Sequence, residues 1–264
     1  MLISKRVILD NRRDESETDR RTSLSLVIPN HNLVLAALPS SELHKIVSAS
    51  RAVHLSYLDL IYEAGDEIEF VYFPIEAVVS AVAILEDGSS VEISMTGRES
   101  LVGLPALVGG GRALHWMRVS VGGPALKIPT SSLQELVRQS EPIHDATLRA
   151  YRRLFTQICQ RSVCNVRHSL LQRLCVWLLM TSDRIGVAEL PFTQEDIANR
   201  ISVRRAGVSV AASTLQAMRA ISYHRGRIMI TDRPAIEGAA CECYQVMAQD
   251  FQELGDGTRG GVRF

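Results

Sequence analysis

The sequence predicts an α+β chain: an N-terminal antiparallel β jelly roll, a long dimerisation helix and a C-terminal winged helix-turn-helix. Three patterns carry that prediction. Short apolar–polar strands separated by turn residues fill Val53 to Pro129. Apolar residues at alternating three- and four-residue steps run through Ser131 to Cys164. Phe192 to Ile230 then reads as two short helices and a hairpin. The divisions expected are an N-terminal extension at 1–33, the roll at 34–130, the long helix at 131–166, the winged module at 167–250 and a tail at 251–264.

In chain order, Asp10 to Thr22 is dense in charge and expected to be disordered, and Gly255 to Gly261 is rich in glycine and expected to be flexible. Leu38 to Arg51 predicts a short amphipathic helix opened by Pro39-Ser40-Ser41-Glu42. Strands are expected at His54–Leu58, Glu69–Pro74, Val78–Ile84, Val91–Met95 and Trp116–Val121, with turns at Ala64-Gly65-Asp66 and Asp87-Gly88-Ser89. Ser131 to about Cys164 predicts one helix, on which Leu148, Tyr151, Phe155 and Ile158 form a heptad-like seam. That seam suits a homodimer interface, the alternative being a helix packed on its own barrel. A separate apolar helix is expected over Arg167 to Ile185.

In the module, Thr193 and Asp196 have the spacing of a capping box. Ile197, Ala198 and Ile201 share one helical face, Ser202-Val203 makes a break, and Val208, Ala211, Ala212 and Leu215 form the buried side of a second helix. Ala198 is small enough for two steeply crossed helices to touch. Arg204-Arg205 opens the second helix, where recognition helices meet bases and phosphates. Ile221 to Ile230 alternates around Arg225-Gly226 as a tight hairpin does. The candidate DNA contacts are Thr193, Gln194, Arg204, Arg205, Ser209, Arg225 and Arg227.

Charge agrees locally. The chain has 29 Lys and Arg against 29 Asp and Glu, so it is neutral overall. Within Leu190 to Pro234, however, Arg200, Arg204, Arg205, Arg219, Arg225, Arg227 and Arg233 face only Glu195, Asp196 and Asp232. A basic module on a neutral protein points to double-stranded DNA as partner. No apolar run approaches the ~20 residues of a membrane span. The N-terminus lacks the apolar core and cleavage site of a signal peptide. A cytoplasmic protein without membrane contact is therefore expected.

The order of parts resembles the Crp/Fnr (cyclic-AMP receptor/fumarate-nitrate regulator) superfamily of bacterial transcription factors. The resemblance spans Ala37 to Tyr244. It rests on Glu63-Ala64-Gly65-Asp66 with Val71-Tyr72-Phe73, on Asp87-Gly88, on Gly97 to Gly103, and on Thr193 to Ile230. It implies that the roll is cyclic-nucleotide-binding-like. It also implies a homodimer on an inverted-repeat operator, one recognition helix per half-site, with RNA polymerase as a partner if the protein activates. Val203 to Ser209 resembles a subgroup of uncharacterised members.

Three departures shape the expected function. The family's phosphate cassette corresponds here to Arg98 to Pro105, then Gly109 to Trp116. Glu99 stands as candidate acid, but Ala113 and Leu114 occupy the place of the Arg-Ser pair, and Arg112 is displaced by one. Glu99, Ser100 and Arg112 are thus the effector-pocket candidates. Cyclic-AMP binding is not expected, because a buried phosphate needs a paired cation and several donors; another small effector, or none, is. In the recognition helix Arg205-Ala206 replaces an Arg-Glu pair, Ser202 replaces a turn glycine, and Arg204 replaces a capping Ser or Thr.

The five cysteines, Cys159, Cys164, Cys175, Cys241 and Cys243, lack the N-terminal cluster of iron-sulfur members. Cys159 and Cys164 point to different helix faces, and Cys241-Glu242-Cys243 alone is too short for a tetrahedral zinc site. Reduced thiols are expected, with no metal and no cofactor, and His115, His168 and His224 have no ligand-spaced partner. Two rival readings remain. One is a β-barrel small-molecule-binding protein or cupin-like metalloenzyme with a helical appendix. Against it, His54 and His115 are the only barrel histidines, and no catalytic triad, paired acids or phosphate loop appears, so no enzyme is expected. The other is a regulator-shaped protein that has lost DNA binding, which the arginines oppose.

Overall fold

The computed structural model describes residues 31–255, so the disorder expected for Asp10 to Thr22 and the end of the tail lie outside the described residues. The fold begins earlier than the sequence suggests. Asn32 is fully buried and accepts from the N–H groups of Val34 and Leu35, which starts helix α1 (Leu33–Ala36). Its Nδ2 donates to the carbonyls of Pro74 (2.8 Å) and Ser100 (3.0 Å), so it also pins two loops of the roll. Helix α2 (Ser40–Ser48) is shorter than expected, because Arg51 already enters a strand.

Seven strands form the roll: β1 (Arg51–Leu55), β2 (Leu60–Tyr62), β3 (Phe70–Pro74), β4 (Val78–Ile84), β5 (Ser90–Thr96), β6 (Trp116–Val121) and β7 (Gly123–Pro129). They pair antiparallel in two sheets, β1-β7-β3 and β2-β6-β4-β5. Two strands lack a clear sequence signal. β2 has only three residues. β7 opens on Gly123-Pro124, which reads as a turn, yet it is the central strand of its sheet, with Arg51 opposite Lys127 and Phe73 opposite Leu126. Gly123 is required there, since a Cβ would stand 2.8 Å from the Ala77 nitrogen.

The single helix expected over 131–166 is two. Helix α3 (Thr130–Gln139) stops at Ser140, which turns to extended backbone, and helix α4 (Glu141–Arg167) starts afresh. Ser140 caps α4 by accepting from the Ile143 N–H at 3.4 Å. Pro142 in the first turn has no N–H to continue a helix from α3. Along its 27 residues, about 40 Å at 1.5 Å each, α4 buries Ile143, Ala146 and Ala150 toward the roll.

Helix α5 (Leu170–Ile185) starts on a Ser169–Gln172 capping box and stops at Gly186, whose φ is +79°. It is buried on nearly every side from Leu174 to Ser182, which explains why it reads as apolar all round. Around it lie β8 (Glu189–Leu190), α6 (Gln194–Arg200), α7 (Arg205–Ala217), β9 (Ile221–His224), β10 (Arg227–Ile230), α8 (Arg233–Ala239) and α9 (Cys243–Gly255). The three short strands form a sheet in the order β8-β10-β9. Helix α9 carries regular structure through Gly255, beyond the expected start of the tail.

Roll, long helix and winged module meet on one buried carboxylate. Glu92 on β5 accepts from Arg161 of α4 (2.9 Å), Arg200 of α6 (2.8 Å), Ser80 of β4 (2.6 Å) and the Trp177 indole of α5 (3.3 Å). Burial alone would raise its pKa, but the Arg161 and Arg200 charges outweigh it and hold the carboxyl below the ordinary range. Because its folded pKa is depressed, its contribution is present above the unfolded pKa and is lost as pH falls through the folded value. Glu92→Ala leaves two half-buried guanidinium groups without their acid. It should lower stability in urea unfolding by about 3–5 kcal/mol at neutral pH, and the difference from wild type should shrink on acidification; a loss under ~1 kcal/mol would show that the arginines find other partners.

Candidate nucleic-acid interface and effector cavity

Thr193 caps α6 as its sequence spacing predicts. Its hydroxyl accepts from the Asp196 N–H (3.1 Å), and the Asp196 carboxylate accepts from the Thr193 N–H (2.8 Å). The Gln194 N–H donates to the Tyr223 hydroxyl (3.1 Å), tying α6 to the wing. After α6, Ser202 takes φ +53°, a left-handed position that glycine fills more easily. Ile197, Ala198, Val208, Ala211, Ala212 and Leu215 are all buried, as their spacing requires. Gly207 is a packing residue that no local pattern marks: a Cβ there would lie 2.7 Å from a Leu170 methyl, so it sets the approach of α7 to α5.

Helix α7 begins at Arg205 with Arg204 as an extended N-cap, and no side chain accepts from its first turn. The Gly207 N–H donates to the Arg204 carbonyl at 2.9 Å, whereas the Arg205 and Ala206 N–H groups have no acceptor among the described residues and remain open to an external one. In the wing, Arg225 (φ +47°) and Gly226 (φ +76°) make a two-residue hairpin turn. A Cβ on Gly226 would lie 3.3 Å from the Thr193 methyl, so the wing tip and the start of α6 are neighbours. Arg204, Arg205, Arg225 and Arg227 are exposed, while Gln194 and Ser209 are half-buried.

The basic charge is smaller than the sequence window suggests. Arg200 is bound to Glu92, Arg233 to Asp183 and Glu237 (2.7 Å each), and Arg227 to Glu189 (2.9 Å). All four acids lie outside the window, so local counting could not see them. Arg204, Arg205, Arg219 and Arg225 form no ion pair among the described residues.

Inside the roll is a cavity of about 110 Å³. Tyr62, Ile93 and Met117 line it from the sheet, Leu104 from the following turn, and Leu154 and Ile158 from α4. Ser94, Thr96 and His115 supply its polar edges, and among the described residues no Lys, Arg, Asp or Glu lines it. Burial lowers the pKa of His115, favouring the neutral ring.

None of the three effector-pocket candidates lines this cavity. Glu99 is buried against α5, where its carboxylate pairs with Arg184 at 3.0 Å and accepts from the Gly97 N–H. Gly97 leaves room for that pair, since a Cβ would stand 2.8 Å from the Arg184 Cβ. Ser100 borders a separate small cavity with Glu99 and Arg184. Arg112 is on the surface, donating to the Gly65 carbonyl at 2.8 Å. The partner of Glu99 is a helix distant in sequence, so the roll's motif alone misdirects it.

On α4, Leu148, Tyr151 and Phe155 are exposed at 48%, 43% and 59%, whereas Ile158 is half-buried beside the cavity. Val163 and Val166 extend the exposed apolar surface past the point where the sequence seam fades. His168 has partners after all: its ring lies among Cys164, Cys241 and Cys243, correcting the expectation of an isolated histidine.

The family model of the cyclic nucleotide-binding domain matches residues 53–140, and that of the Crp-like helix-turn-helix domain matches residues 172–238. The chain belongs to the Crp/Fnr superfamily of transcriptional regulators. By sequence it matches no curated protein. Among solved structures, FixK2 from Bradyrhizobium japonicum aligns with a TM-score of 0.64 at 15% identity, covering 73% of this chain and 98% of that one. A CRP-family regulator from Thermus thermophilus aligns at 0.60 and 19% identity, covering 72% and 99%. The c-di-GMP-responsive global regulator CLP of Xanthomonas campestris aligns at 0.58 and 14%, covering 73% and 99%. At such identities these structures speak for the Crp/Fnr fold alone. Among the described residues no helix is long and apolar enough to cross a membrane.

Proposed function

We propose that this Crp/Fnr regulator is a cytoplasmic homodimer that reads an inverted-repeat operator, with one α7 helix per half-site. The observation carrying this reading is the uncapped start of α7, where Arg204 and Arg205 stand exposed and free of acids. Arg205 is placed to fork onto a guanine, a contact worth about 1–3 kcal/mol of discrimination. Ala206 and Val210, the latter 70% exposed, offer apolar contacts to thymine methyl groups. Arg204, Arg225 and the open N–H groups of α7 suit phosphate oxygens, which add affinity without sequence information. Arg227 joins them only by exchanging Glu189 for phosphate. Thr193, Gln194 and Ser209 serve through their positions, Thr193 at the capped end of α6 beside the wing.

The exposed Leu148, Tyr151 and Phe155 support the dimer, since a second α4 would cover them. The cavity favours a small uncharged effector over a cyclic nucleotide, because among the described residues no Lys or Arg lines it to offset a buried phosphate. Leu154 and Ile158 place any occupant against the dimer helix. A polymerase contact would follow if the protein activates transcription.

Binding to a randomised operator library at two salt concentrations tests the reader. Arg205→Ala should relax the preference at one base pair per half-site and spare most non-specific binding. Arg225→Ala should weaken binding to all sequences alike and lower the salt slope by about 1. An unchanged consensus with Arg205→Ala would place base reading elsewhere. For the dimer, Phe155→Asp puts a charge into the seam and should give monomers in sedimentation, whereas an intact dimer would move the interface off α4. Calorimetry with cyclic AMP should show no binding at micromolar concentrations; micromolar affinity would contradict the uncharged-effector reading.

A further inference from the structure

Three buried thiols and one imidazole converge where the long helix ends and the C-terminal helix begins. Cys164 and His168 stand four residues apart at the end of α4, one above the other on a single face. Cys241 comes from the connection between α8 and α9, and Cys243 is the first residue of α9. Sγ of Cys164 is 3.6 Å from Sγ of Cys241, and Sγ of Cys243 is 3.5 Å from Nδ1 of His168. The four ligand atoms all lie within 4.8 Å of one another.

We propose that Cys164, His168, Cys241 and Cys243 form a structural site for a single tetrahedral zinc ion. Zn–S bonds of ~2.3 Å and a Zn–N bond of ~2.0 Å imply S–S edges near ~3.8 Å and S–N edges near ~3.5 Å. The Cys164–Cys241 and Cys243–His168 separations match those edges, and the other four lie within 4.8 Å. A disulfide would need sulfurs ~2.05 Å apart, and an iron-sulfur cluster spreads its thiolates over several irons. Four protein ligands leave no open position for water or substrate, so the site is of the closed, structural kind.

The surroundings fit the same ion. Nε2 of His168 lies 3.3 Å from a Glu242 carboxylate oxygen, which holds the ring's proton on Nε2 and leaves the Nδ1 lone pair for the metal. Gln160 Nε2 donates to Sγ of Cys243 at 3.4 Å, as N–H groups do to metal-bound thiolate. Arg161 and Arg173 border Cys164 in one small cavity and offset the net negative charge of zinc with three thiolates. The ion would staple the last turn of α4 to the first of α9. It would thereby fasten the C-terminal segment to the helix carrying the exposed apolar seam.

The test is metal content and coordination of the full-length protein, purified reduced and without chelator. One zinc per chain is expected. Exchange with cobalt(II) should give the intense visible bands of a tetrahedral ion and thiolate charge transfer in the near ultraviolet. Cys243→Ser should lose the ion, and Cys159→Ser, at an exposed cysteine, should keep it. Should Cys243→Ser not fold, Glu242→Gln reads the same site from its exposed rim: it should weaken zinc binding about 10–100-fold with coordination unchanged. A reduced protein that takes up less than one-tenth of an equivalent of zinc would overturn the assignment. So would octahedral cobalt, iron with labile sulfide, or a Cys164–Cys241 disulfide in the freshly purified chain.

Discussion

The buried Glu92 carboxylate is the constraint on which the arrangement of this molecule depends. A carboxylate taken out of water requires paired charges and several donors, and here the donors come from different parts of the chain. Ser80 belongs to the roll, Arg161 to the long helix, Trp177 to α5, and Arg200 to the first helix of the reader. An apolar contact could slide without loss; a charge sharing its two oxygens among these groups accepts few geometries. The orientation of the helix-turn-helix against the roll is thus specified by one acid rather than by the hydrophobic core alone.

That acid also lies on a continuous path of contacts. Leu154 and Ile158 line the roll's cavity, and Arg161, three residues further along the same helix, holds Glu92. Glu92 in turn holds Arg200 at the end of α6, just before the Ser202 turn that sets the direction of α7. The outer side of the same stretch of α4 carries Phe155 and Tyr151. Cavity and proposed dimer seam therefore share one helix, and that helix reaches the helix-turn-helix through Glu92.

Local sequence chemistry made the winged module legible. The Thr193–Asp196 box, the buried positions of α7 and the Arg225-Gly226 turn each depend on residues within a few positions of one another. Features that depend on distant partners were hidden. β7 opens on residues that favour turns and becomes a central strand only because β1 and β3 flank it. The long helix breaks at Ser140 because Pro142 follows it, a signal present in the chain but outweighed by the apolar periodicity on both sides. Glu99 matches a motif position in the roll but is held by Arg184, and Arg200 counts toward the basic charge of the module until Glu92 claims it. The thiol–imidazole cluster assembles from two short pairs that are each uninformative alone.

A double-mutant cycle between Glu92 and Arg200 tests the central claim most directly. Unfolding free energies of wild type, Glu92→Gln, Arg200→Gln and the double variant would be measured in urea at neutral pH. The two single losses should fail to add, with a coupling of about 1–3 kcal/mol, as residues in one buried network do. Losses that add to within ~0.5 kcal/mol would mean that the pair does not join the roll to the reader.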